Sequence, residues 1–188
     1  RMVLALCAVW PVTAMICGMV ASASAIHVTA SIAAALILGY TPDSDADAMR
    51  AKYAGGASRF LTLTPGLTIH VRDQGLRSGR ALVFIHGSNA SLHIWQPWVE
   101  RLQDQYRIIS LDLPGHGLTG AAPNGRYDSA SYVDIVDQVM QRLGVTHAVI
   151  AGNSMGGGVS WNYALTHSEK VDGLVLIDAA GAPSAKSR

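Results

Sequence analysis

Residues 152–156 read Gly-Asn-Ser-Met-Gly. This glycine-x-serine-x-glycine motif lies between a short apolar run, 148–151, and a stretch with helical spacing, 155–166. That context puts Ser154 on a tight strand-to-helix turn, its backbone strained and its hydroxyl raised above a sheet. The positions two before and two after must be small, because the turn brings their backbones together; Gly152 and Gly156 meet that need. Ser154 would also open the helix, where peptide dipoles favour developing negative charge. A serine held this way suits covalent acyl transfer. The spacing fits neither G-x-G-x-x-G nor a P-loop with its lysine, so a phosphate-cradling turn is the weaker reading.

Acyl transfer creates an oxyanion, and preorganised amides must meet it. The residue after the serine, Met155, would give one amide. The other is expected from the loop after an earlier strand, where His86-Gly87-Ser88 follows the apolar run 81–85. Ser88 is the expected donor, Gly87 lets the backbone approach, and His86 by itself reads as a structural loop residue.

The elements that must place these groups alternate. Residues 67–71 alternate like a half-buried strand, 81–85 and 106–111 read as buried strands, and 148–151 and 173–177 as two more. Helical spacing fits 92–103, 129–143 and 155–166. Strands alternating with helices imply right-handed crossovers and a mostly parallel sheet covered on both faces. Trp95, Trp98 and Trp161 fall at helical positions, where aromatic side chains are more often core than pocket lining.

Charge divides the chain. Of 188 residues, 14 are Lys or Arg and 13 Asp or Glu, and only Arg1 precedes Asp43. The remainder sums to zero, which excludes a nucleic-acid binder relying on a basic face. High hydrophobicity (49%) excludes a disordered acidic chain. Cys7 and Cys17, the only cysteines, lie in the charge-free stretch and form no disulfide framework. Residues 2–40 are read as a membrane anchor, one long tilted span or two short ones; cleavage sites of the A-x-A kind at 21–25 make a signal peptide the competing reading. The side of the membrane stays open. Residues 41–58 read as a polar linker and 59–188 as the globular part.

The combination resembles the α/β-hydrolase fold family, of the broad AB hydrolase-1 type, over roughly residues 60–182. It rests on His86-Gly87-Ser88-Asn89-Ala90-Ser91, Trp95, Asp112-Leu113-Pro114-Gly115-His116-Gly117, the Ser154 motif and Leu174-Val175-Leu176-Ile177-Asp178. The resemblance implies an α/β fold and a serine hydrolase acting on a small-molecule ester, with Ser154 as nucleophile and no cofactor; no cluster with metal-ligand spacing is present in the sequence, so no metal is implied. It makes His116 structural. Dehalogenase and epoxide hydrolase chemistry would place an Asp where this chain has Ser154. Carbon–carbon bond hydrolysis, cofactor-free peroxidase activity and a non-catalytic membrane-tethered module are the alternatives.

That family orders its triad as serine, acid, histidine along the chain. After Ser154 the only histidine is His167, a helix length of about 15–18 Å away. The expectation is therefore a C-terminally incomplete domain with no catalytic histidine in this chain and little esterase activity of its own. Asp178, ending a strand, is a candidate acid.

Overall fold

The computed structural model describes residues 27–40, 44–64 and 66–181, which fall into two compact units divided at Ser44 and Asp45. In the first unit, helix α1 (residues 27–39) is exposed throughout. Its 13 residues reach about 20 Å, short of the roughly 30 Å of a hydrocarbon core. No helix among the described residues is long and apolar enough to cross a membrane. Most of the expected anchor, residues 2–26, lies outside the described residues, and the part inside them supplies no spanning helix.

The second unit opens with α2 (Ala46–Tyr53), inside the stretch read as a linker. Asp45 caps it, its side chain accepting from the Ala48 amide. Six strands follow: β1 (Ser58–Leu63), β2 (Leu67–Gly75), β3 (Arg80–Ile85), β4 (Tyr106–Leu111), β5 (Ala148–Asn153) and β6 (Val171–Ile177). They form one sheet in the order β1-β2-β4-β3-β5-β6. β1 and β2 are antiparallel to their neighbours, while β4, β3, β5 and β6 run parallel. The sheet is thus mostly parallel, with an added hairpin; β1 was not among the expected strands.

Helix α3 (Gln96–Leu102), entered through a 3₁₀ turn at Leu92–Trp95, covers one face; α4 (Ser129–Arg142) and α5 (Met155–Thr166) cover the other. β3 shows how a two-sided strand is written. Ala81, Val83 and Ile85 enter the core beneath α4 and α5, whereas Leu82 and Phe84 pack with Trp95 and Val99. At the sheet's end β6 is exposed on both faces, with Leu174, Val175 and Leu176 each about two-fifths accessible. Of the three tryptophans expected in the core, only Trp95 is buried. Trp98 is 46% exposed, and Trp161 is partly exposed with its indole N–H donating to the Ala180 carbonyl at 3.0 Å.

Candidate active site

The carboxyl ends of β3 and β5 are adjacent, Ile85 pairing with Gly152, and the loops leaving them meet. Ser154 occupies the turn from β5 into α5 with φ +49° and ψ −116°. A left-handed φ of this kind in a non-glycine residue costs on the order of 1–3 kcal/mol, and the surroundings must hold it. They do so through backbone bonds. The Ser154 amide donates to the Ile177 carbonyl at the end of β6, and its carbonyl accepts from Gly158 and Ala180. The hydroxyl is only partly buried and makes no hydrogen bond among the described residues.

The glycines around it are dictated by contact. A Cβ at Gly152 would strike the Gly156 carbonyl and the Ser160 hydroxyl; one at Gly156 would strike the carbonyls of Ile85 and His86. A Cβ at Gly87 would come within 2.9 Å of Asn153 Oδ1 and 3.2 Å of Ser154 Cβ. The helix therefore lies directly on the strand ends, at a distance that only hydrogen at these positions allows.

Ser88 and Met155 are brought together, the Ser88 hydroxyl donating to Met155 Sδ at 3.5 Å. Neither backbone amide donates to another group among the described residues. Two unspent N–H groups beside a strained serine can receive an oxyanion.

His86 has a role its sequence context did not reveal. It is fully buried, and the Leu113 amide donates to its Nε2 at 3.0 Å. Nε2 is therefore unprotonated, and Nδ1–H donates to the Gly87 carbonyl at 2.7 Å. That carbonyl and the Ser88 N–H share one trans peptide and point in opposite directions. By holding the carbonyl, His86 aims the Ser88 amide; it is a positioning residue. Burial pushes the His86 imidazole below its ordinary pKa, outweighing the Gly87 carbonyl, and His93 is lowered for the same first reason. The unfolded chain takes up these protons near about pH 6.5 and the folded chain does not. Stability is then complete above that value and is lost as pH falls through the folded values. The melting temperature should drop steadily from about pH 7.5 to pH 5.5; a flat profile would show that these rings are not held neutral.

The remaining expected residues are placed as follows. Asp178 ends β6 next to the elbow with φ +47°; it is exposed, and its carboxylate has no bond or ion pair among the described residues. His167 sits past the far end of α5, its ring stacked on Tyr163 at 4.7 Å. His116 Nδ1 lies 3.1 Å from the Pro114 carbonyl. Within the second unit, no described histidine makes a hydrogen bond to Ser154. Beside Ser88 and Met155 lies a cavity of about 460 Å³ bordered by Tyr127, Tyr132, Val159 and Trp161.

The family model for the alpha/beta hydrolase fold matches residues 80–187, more than half of the chain. The chain belongs to the alpha/beta hydrolase family. Among curated members it is similar to a cis-3-alkyl-4-alkyloxetan-2-one decarboxylase of Xanthomonas campestris, 32% identical over 65% of this chain and 44% of that protein. Among solved structures it is similar to an esterase from Exiguobacterium antarcticum, 35% identical with a TM-score of 0.60, covering 65% of this chain and 45% of the other. It is also similar to a bacterial membrane phospholipase A, 28% identical with a TM-score of 0.65, covering 95% of this chain and 54% of the other. The chain spans less than half the length of the curated relatives it matches.

Proposed function

We propose that this chain supplies the nucleophile and oxyanion half of a serine hydrolase that cleaves a small-molecule ester. The observation that carries the reading is Ser154, strained at φ +49° with a free hydroxyl, next to the unspent amides of Ser88 and Met155. Ser154 Oγ attacks the ester carbonyl, the two amides take the oxyanion, and water releases the acyl group. The aromatic cavity beside them accepts an apolar acyl or alcohol portion. A base and its acid must come from residues other than the histidines described here, with Asp178 the candidate acid within this chain. The likeness to an esterase supports ester chemistry, while the decarboxylase relative makes carbon–carbon cleavage at the same serine the second reading.

Membrane attachment through residues 2–40 belongs to the same proposal. It is supported by the near absence of charge before Asp43 and by a likeness to membrane phospholipase A that extends over nearly the whole chain.

The deciding experiment is acyl trapping. The full-length protein is mixed with a stoichiometric p-nitrophenyl ester, quenched in acid and mapped by mass spectrometry. An acyl adduct on Ser154 is expected. Turnover with the adduct elsewhere, or with none on Ser154→Ala-sensitive peptides, would reject the reading. The 188-residue chain alone should turn the ester over far more slowly, since an unassisted serine is a weak nucleophile.

A further inference from the structure

Ser58, His70 and Asp112 stand in line on the hairpin side of the sheet, away from the elbow. His70 Nδ1 is 2.7 Å from Asp112 Oδ2, and His70 Nε2 is 2.8 Å from Ser58 Oγ. The histidine and the aspartate are fully buried, while the serine keeps partial exposure. Asp112 also accepts from the Leu92 and Leu118 amides at 2.7 and 2.9 Å. Burial pushes its carboxyl up, but the bonds from His70 and these amides outweigh that and hold it below the ordinary value. An ionised carboxylate only accepts, so Nδ1 carries a proton, and in the neutral tautomer of the ring Nε2 is bare. The Ser58 hydroxyl then donates to Nε2, the direction that general-base activation requires.

Two neighbours complete the arrangement. Arg72 Nε donates to the same Ser58 Oγ at 3.1 Å, placing a cation where negative charge would develop. Phe60 stacks on the His70 ring at 5.1 Å and fixes its plane. Next to this cluster lies a cavity of about 350 Å³ lined by Met49, Tyr53, Ser91, His93 and Leu118. It adjoins the relay through His93, whose ring is 6.1 Å from that of His70, and through Tyr53, whose carbonyl accepts from Arg72. The Ser58 hydroxyl is also the partner that satisfies the buried His70 Nε2.

We propose that Ser58, His70 and Asp112 form a second nucleophilic relay, which accepts the acyl group of an activated carboxylic ester on Ser58 Oγ. The Oγ–carbonyl bond forms and the ester C–O bond breaks; the hydroxyl proton passes to His70 Nε2 and from there to the departing alkoxide or phenoxide. The apolar acyl chain lies in the neighbouring cavity.

The test uses the full 188-residue chain carrying Ser154→Ala, treated with a p-nitrophenyl ester or an alkyl fluorophosphonate and mapped by peptide mass spectrometry. An adduct at Ser58 is expected. It should disappear in Ser154→Ala/Ser58→Ala and form roughly a hundredfold more slowly with His70→Gln. If His70→Gln fails to fold, Ser58→Cys decides: its thiol should alkylate with iodoacetamide at about pH 6, where a cysteine of ordinary pKa near about 8.5 is slow. No adduct at Ser58 in the folded Ser154→Ala chain overturns the proposal. So does a rate unchanged by His70→Gln, or an ordinary pH profile for Ser58→Cys. Because adducts are read residue by residue, failure at Ser58 and failure at Ser154 are separate results.

Discussion

Ser154→Gly is expected to move activity and stability in opposite directions. In the proposed mechanism the hydroxyl is the attacking atom, and the loss of a catalytic nucleophile lowers kcat by roughly 10⁴-fold or more while leaving residual rate from oxyanion binding. The same change removes a Cβ from a backbone held at φ +49°. Glycine adopts that conformation without steric cost, so the melting free energy should rise by about 1 kcal/mol, offset in part by the freer unfolded chain. Ester hydrolysis by the full-length protein and chemical denaturation of the same preparation read the two effects. A variant that loses activity and also loses stability would mean that the hydroxyl holds the turn together, which its lack of a bonded partner argues against.

Gly156→Val should prevent folding of the second unit. The position faces the carbonyls of Ile85 and His86, so even one methyl group collides with backbone. Backbone at a strand end cannot rotate away like a flexible side chain; α5 must instead lift off the sheet. Lifting it would break the contacts of Val159 and Tyr163 with the core and separate the Met155 amide from Ser88. We expect a loss of roughly 3 kcal/mol or more, with Gly156→Ala intermediate. Circular dichroism and denaturant titration measure it. Native-like stability of the valine variant would show that α5 lies farther from β3 than described.

Much of the elbow was legible because its constraints are local. A serine between two small residues, after an apolar run and before helical spacing, states its own turn within five positions. The strands were legible for a similar reason: β3, β4 and β5 are buried and rich in branched side chains, and β3 divides its residues alternately between the two cores. The strand β1 was not, because its alternation is weak and two of its apolar residues, Leu61 and Leu63, are scattered among Ser, Arg and Thr. Only pairing with β2, from Ser58 opposite Arg72 to Leu63 opposite Leu67, makes it a strand. Helix α2 hid in a stretch whose Pro, Gly and Asp content reads as linker.

By itself the sequence determined the family, the alternating architecture and the position of the strained serine, since each is written in neighbouring residues or in a motif of fixed spacing. The tertiary structure alone decided which distant groups meet. It turned His86 from a loop residue into the anchor of the Ser88 peptide, and gave Gly156 a backbone to press against. It also joined His70 to Ser58 and to Asp112, across separations of 12 and 42 residues. No local pattern encodes such encounters. Side chains far apart in the chain become neighbours only when the register of the sheet and the close seat of α5 set where each strand ends.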